Sequence, residues 1–189
     1  MGLAEFPRDL VTLEEWDALD LDEARRWELV EGGILMTPRP RPLHQVVSKN
    51  LTRLLDERRP DWLVVLQEVE VTVEARFPPT VRDPDLVVVN RDVVDRNPVR
   101  VDASDVVLVV EIVSPGSRRT DRVMKAYEYA KAGIEHYWIV DLDANRDERF
   151  LAHLLREGTY RRVEALIGDR VQTKEPLAVD FTLGELTQP

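Results

Sequence analysis

Residues 106–113 read Val-Val-Leu-Val-Val-Glu-Ile-Val, an almost unbroken apolar run, rich in β-branched residues, with one carboxylate, Glu111, inside it. Branched side chains favour extended backbone, and a continuous apolar run, unlike an alternating one, fits a strand covered on both faces. An ionised carboxylate buried there without partners costs far more than a strand recovers, so Glu111 is expected to be paired, protonated or bound to a cation. Two further apolar runs flank it in the chain and each carries acid at one end. One is Asp83-Pro84-Asp85-Leu86-Val87-Val88-Val89, the other His136-Tyr137-Trp138-Ile139-Val140-Asp141. A segment with helical character, carrying Asp121 and Lys125, lies between Glu111 and the last run.

The chain has 189 residues, enough for one domain with a sizeable core and too few for two ordinary ones. With 43% hydrophobic and 33% charged residues, it has the composition of a globular rather than a disordered chain. No apolar run reaches membrane-spanning length. The first seven residues lack a basic region followed by an apolar core, so no secretory signal and a cytoplasmic location are expected. The absence of cysteine excludes disulfides, thiolate metal sites and cysteine nucleophiles. A formal net charge of -10 argues against a protein that coats nucleic acid by charge alone. It leaves room for an enzyme acting on nucleic acid, because bound divalent metal offsets clustered carboxylates and a local basic groove can coexist with an acidic remainder.

Thr12-Leu13-Glu14-Glu15 fits a capping box that opens a short helix over residues 12–20. Residues 27–36 alternate around Gly32-Gly33 as a β-hairpin does. The proline-basic stretch 38–42 is irregular and leads into a helix over 43–58, with Val46, Val47, Asn50, Leu51, Leu54 and Leu55 in one stripe. Residues 62–73 read as one strand, with Val69, Val71 and Val73 on one face and Glu68 and Glu70 on the other. A short buried strand follows at 86–89, then a polar connection over 91–102. Ser114-Pro115-Gly116-Ser117 turns the chain into a helix over 118–132, stopped by Gly133. A strand over 135–141 and a hairpin around Gly158 come next, and the tail with Pro176 and Leu177 reads as irregular chain with a short turn near Leu183. No repeat or linker interrupts this pattern, and one α/β domain accounts for the length.

Asp85 begins one strand and Glu111 lies near the end of the next. Neighbouring strands would bring both acids to a common cation. Magnesium takes oxygen ligands and retains water for chemistry on phosphates, so two carboxylates and such a cation suit phosphodiester hydrolysis. Lys125, one helical turn beyond Asp121 and on the same face, could orient the attacking water or stabilise the pentavalent phosphorane.

An acid after a proline, followed by a strand with Glu and apolar residues, resembles the PD-(D/E)XK nuclease superfamily. Within it the chain is more closely similar to the Uma-type restriction endonuclease family. The resemblance is carried, in family order, by Trp27-Glu28-Leu29-Val30-Glu31-Gly32, His44-Gln45, Pro84-Asp85 and Glu111-Ile112-Val113-Ser114-Pro115. It continues with Asp121 and Lys125, Tyr129-Ala130-Lys131-Ala132-Gly133 and Tyr137-Trp138-Ile139-Val140-Asp141. These pieces span about residues 12–186. The resemblance implies a restriction-endonuclease-like core, a central mixed β-sheet flanked by helices, with an extra N-terminal hairpin and C-terminal strands. It also implies a magnesium site, open to manganese, formed by Asp85 and Glu111 with Glu28 assisting, and it makes a homodimer plausible. The superfamily's usual lysine would fall at Val113, two residues after Glu111. The Uma-type pattern places it on the following helix, where Lys125 stands.

Each of these residues also has a plain structural reading. Asp85 could be a turn residue, Glu111 a strand-end carboxylate or part of a buried ion pair, and Glu28 a solvated strand residue. Lys125 could pair with Asp121 on an exposed helix, and Asp121 could cap that helix. His44 could be solvated or line the site as a substrate contact, and Tyr137 and Trp138 fit the core. Arg39, Arg41, Lys49 and Arg53 could form a phosphate-facing patch, with solvated surface as the default, whereas Arg118, Arg119 and Arg122 flank the expected site and are stronger candidates for substrate contacts. Two functions follow. One is a metal-dependent endonuclease hydrolysing phosphodiester bonds, foremost in DNA. The other is a non-catalytic interaction or nucleic-acid-binding module on a nuclease scaffold, motivated by Val113 and the acidic charge. The histidines are too scattered for a zinc site, and no phosphate-cradling glycine loop points to a nucleotide cofactor.

Overall fold

A computed structural model describes residues 9–22, 25–37, 39–114 and 116–188. The first residues, Pro38 of the basic loop and Pro115 of the expected turn lie outside this set. In chain order the elements begin with α1 (Leu13–Asp17), β1 (Arg26–Val30), β2 (Gly33–Thr37), α2 (Pro42–Asp56), β3 (Leu63–Gln67), β4 (Val71–Glu74), β5 (Thr80–Arg82) and β6 (Leu86–Asn90). There follow α3 (Arg91–Arg96), β7 (Val101–Asp102), β8 (Val106–Ile112), a π-helical turn Thr120–Lys125 running into α4 (Ala126–Lys131), and β9 (His136–Val140). The chain closes with β10 (Phe150–Arg156), β11 (Thr159–Val163), β12 (Leu166–Ile167), β13 (Arg170–Thr173), β14 (Val179–Thr182) and α5 (Leu183–Thr187).

The apolar run built around Glu111 becomes β8, an interior strand of a 6-stranded mixed sheet in the order β11-β10-β9-β8-β6-β3. It pairs antiparallel with β6 and parallel with β9, and both partners are almost wholly buried. Side chains alternate across a strand, so β8 feeds two cores at once. Leu108, Val110 and Ile112 pack with Val47, Leu51, Leu54 and Leu55 of α2, and with Trp138, Phe150 and Phe181. Val109, on the opposite face with Glu111, packs with Tyr129, Ile134, Tyr137 and Ile139. The helix carrying Asp121 and Lys125 therefore covers the face to which Glu111 belongs. Gly133, at φ +85°, ends that helix in a backbone conformation that side chains disfavour.

The N-terminal hairpin β1–β2 is the edge of a 5-stranded sheet in the order β2-β1-β5-β4-β7. Leu29 pairs with Val81 of β5, which sets Glu28 beside the chain running from Arg82 to Asp85. The capping box at Thr12 and Glu15 is present, but the helix it opens is only Leu13–Asp17.

Three expectations need correction. The strand expected over 62–73 is two strands in different sheets, because Glu68 takes φ +50° and turns the chain between β3 and β4. The connection over 91–102 holds α3 and β7. The tail is ordered as a 3-stranded sheet, β12-β13-β14, followed by α5. It places Val171, Leu177, Val179, Phe181, Leu183 and Leu186 in the core beneath α2, so burial, not local pattern, orders these very short strands. Asn50, in the apolar stripe of α2, is buried and donates to the carbonyls of Leu186 and Gln188 at 3.1 and 2.7 Å, tying down this end. Among the described residues no helix is long and apolar enough to cross a membrane.

Candidate functional site

The register of β6 against β8, with Leu86 opposite Val110, sets Asp85 beside Glu111. Asp85 Oδ2 accepts from the backbone N–H of Ile112 at 2.7 Å and lies 3.2 Å from His44 Nε2, at the start of α2. Arg26 Nη1 donates to Asp85 Oδ1 at 2.9 Å. From the covering helix, Lys125 Nζ donates to Glu111 Oε1 at 2.8 Å and lies 3.2 Å from Glu28 Oε1 and 3.9 Å from Asp121 Oδ1. Tyr129, one turn further on, donates its hydroxyl to the same Glu111 oxygen at 2.8 Å. Glu28 is held from the other side by Arg82 Nη1 at 2.8 Å, and Arg82 in turn forks onto Glu128 with two bonds of 2.7 Å. Ser117 donates to Asp121 at 2.6 Å.

These groups line a cavity of about 420 Å³ that includes Arg26, Glu28, His44, Asp85, Glu111, Asp121 and Lys125. Glu28, Asp85, Glu111 and Asp121 are each at most 4% exposed and Lys125 is 7% exposed. Two larger cavities, of about 720 and 540 Å³, lie elsewhere and lack such a cluster, so chemistry rather than size selects the smaller one.

The carboxyls differ sharply. Burial opposes ionisation of Asp85, but the bond and charge of His44, the charge of Arg26 and the Ile112 amide bring it down to about 2. Burial pushes Glu111 up to about 8; Lys125 pulls the other way, and the charges of Asp85 and Asp121 add to the rise. Glu28 is lowered: its burial is outweighed by Lys125 and Arg82. Asp121 is raised, chiefly by burial. Lys125 is held protonated: its burial favours the neutral amine, but the charges of Glu111, Glu28 and Asp121 prevail. The contact between Lys125 and Glu111 and the raised Glu111 are compatible, because one ammonium is shared by several acids and the excess acid retains a proton.

Asp85, Glu111 and Glu28 could hold a hard cation. Their donors are carboxylate oxygens, and the surplus of buried acid over lysine is what a divalent ion would offset. Among the described residues no three His, Asp or Glu side chains stand ready as a metal cage. Lys125 and Arg26 already engage the oxygens that a cation would take.

The other expected contacts divide. His44 lines the cavity. Arg118 and Arg122 instead bond Asp141, at 2.6 and 2.8 Å from Arg118 and 3.1 Å from Arg122, and Arg119 is exposed; none of the three lines it. Arg39 and Arg41, for which a phosphate-facing patch is the alternative to solvated surface, do. Val113 is half-buried against the apolar cluster around Tyr129 and Tyr137, with no polar role. Sequence reasoning gave no role to Arg26, Arg82 and Tyr129. The signal for Arg26 was its place two residues before Glu28, on the same strand face, and for Tyr129 its place four residues after Lys125.

A family model, Uma2, described as "Putative restriction endonuclease", matches residues 13–186. No curated protein matches the chain. Among solved structures, one titled as a putative nuclease belonging to DUF820, from Anabaena variabilis, is 18% identical and superposes with a TM-score of 0.70. The alignment covers 94% of this chain and 97% of that one. At that identity the likeness shows a shared fold.

Proposed function

The chain belongs to the Uma2 restriction endonuclease family, and from that premise we propose that it is a divalent-metal-dependent endonuclease that hydrolyses phosphodiester bonds in DNA. The observation that carries this reading is the meeting of Asp85, Glu111 and Lys125 at one cavity, from two paired strands and the helix covering them. Asp85, Glu111 and Glu28 would hold magnesium, or manganese in its place. Such an ion supplies Lewis acidity toward a phosphate oxygen and makes water easier to ionise.

The remaining work falls to the chain's own groups. The Ile112 amide and His44 fix Asp85 in place, and Tyr129 fixes Glu111. Lys125, held protonated among acids, offers N–H donors at the cavity wall. Those donors orient the attacking water and meet the negative charge that grows on the phosphorane oxygens. In so enclosed a site, preset donors gain strength because little water competes with them. Arg39 and Arg41 at the same cavity supply local positive charge for the phosphate backbone, against the acidic charge of the whole.

The test is cleavage of supercoiled plasmid, with an RNA of matched sequence alongside, in magnesium, in manganese and in EDTA. It compares wild type with Asp85→Asn and Glu111→Gln. Metal-dependent nicking of DNA that both substitutions abolish supports the proposal. Nicking that survives both would refute the assignment, and no cleavage with no metal binding would favour a non-catalytic module.

A further inference from the structure

Arg26 lies in β1 on the strand face of Glu28, and its guanidinium bridges two acids. Nε donates to Asp83 Oδ2 at 2.7 Å, Nη1 to Asp85 Oδ1 at 2.9 Å, and Nη2 to the Asp83 carbonyl. Both oxygens of Asp85 are therefore engaged, Oδ2 by Ile112 and His44 and Oδ1 by Arg26. Asp83 is different: its Oδ1 is buried and has no hydrogen-bond partner among the described residues. An unsatisfied carboxylate oxygen beside a guanidinium is an anomaly, since buried acceptors are almost always paired.

We propose that Arg26 is a resident counter-ion for Asp85, which a divalent cation displaces from Oδ1 when it binds, and that the guanidinium then closes onto both oxygens of Asp83. The inference rests on the metal reading above. A hard ion coordinates carboxylate oxygen at about 2.0–2.6 Å, so an ion on Oδ1 would stand almost against the guanidinium already bonded there. Like charges at that separation repel strongly in an enclosed site. Arginine cannot shed its proton to relieve this, so it has to move. Its side chain is 19% exposed and its Nε is already on Asp83. Taking up Asp83 Oδ1 converts a bridge between two acids into the two-pronged pair that arginine and carboxylate favour. Arg26 is thus a positioning residue that sets how tightly the site holds metal.

Calorimetric titration of magnesium and manganese into wild type, Arg26→Gln and Asp85→Ala tests this. Removing the competitor should tighten metal binding by about tenfold, the scale on which groups behind metal ligands act. Merely structural damage would weaken binding instead. Asp83→Asn, which removes the landing carboxylate and leaves Arg26 to Asp85, should weaken metal binding. Binding that is unchanged or weaker in folded Arg26→Gln, yet lost in Asp85→Ala, overturns this inference and leaves the metal site standing. No binding in wild type and none in Arg26→Gln overturns both. Should Arg26→Gln not fold, Arg26→Lys carries the test: it keeps the charge but cannot span both acids, so tightening of a few fold supports the proposal and none overturns it.

Discussion

Asp85 Oδ2 accepts a hydrogen bond of 2.7 Å from the amide of Ile112, the residue after Glu111. The carboxylate that opens β6 is thereby fixed to the strand that carries the second acid, by a backbone bond that adds to the side-chain contacts of His44 and Arg26. Asp85→Asn should separate charge from scaffold, because its amide oxygen can still accept from Ile112. The fold should persist by circular dichroism, while metal binding disappears and cleavage falls by roughly a hundredfold or more, the scale of losing one preorganised electrostatic contact. Undiminished cleavage by a folded Asp85→Asn would remove this residue from the metal site.

Lys125 offers a cleaner division between structure and chemistry. Lys125→Met deletes a positive charge from among Glu28, Glu111 and Asp121, so the site becomes no less attractive to a cation. Magnesium affinity should hold or rise, whereas turnover should fall by roughly 10²–10³ if the ammonium orients water or meets developing charge. A parallel fall in metal affinity would show that Lys125 serves only to hold the acids together. The proton that burial keeps on Glu111 up to about 8 limits the cost of leaving that carboxyl without its ammonium.

Arg82 is 1% exposed and bonds both Glu28 and Glu128, joining the N-terminal sheet to the helix of Lys125. Arg82→Ala leaves Glu28 buried with only Lys125 and the Asp83 amide to meet its charge, and should cost about 3 kcal/mol in urea unfolding, the low end of what breaking a buried pair from one side costs. Glu128→Gln should cost clearly less, because Glu128 is partly exposed and Arg82 keeps Glu28. Equal losses in the two variants would mean that the Glu28 contact contributes nothing beyond the outer one.

Much of this was legible because the informative segments are long or chemically unusual. The run at 106–113 announces a strand covered on both faces, and one acid inside it demands a partner. The spacing of Asp121 and Lys125 puts both on the helix face toward that acid, a π-helical turn notwithstanding. Where the reading failed, no local pattern carried the answer. Glu68 ends β3 by backbone conformation, which its identity does not disclose. β12, β13 and β14 run to four residues at most, too few to show a period, and take their order from burial beneath α2. Arg118 and Arg122 stand near the site in sequence but are taken by Asp141 at the end of β9, an acid that pairs with them only once the sheet has formed.

His136 and His153 give the fold a dependence on pH that is separable from the acidic cavity. Burial lowers the pKa of both, and for His153 it outweighs the bond from its Nδ1 to the Tyr137 carbonyl. A histidine whose folded pKa is depressed stays neutral in the native state while the unfolded chain takes up a proton. Its contribution is therefore intact above the unfolded value of about 6.5 and is lost as pH falls below it. Glu111, Asp83 and Asp121 are raised acids and act with the opposite sign, favouring the folded state as pH falls toward the ordinary carboxylate range. They are common to wild type and to the double variant His136→Gln, His153→Gln, so they cancel in the difference between the two. Urea midpoints between pH 7.5 and 5.5 should therefore fall more steeply in the wild type than in the double variant. Parallel slopes would mean that the two imidazoles accept protons in the native state as readily as in the unfolded chain, and that their burial carries no electrostatic cost.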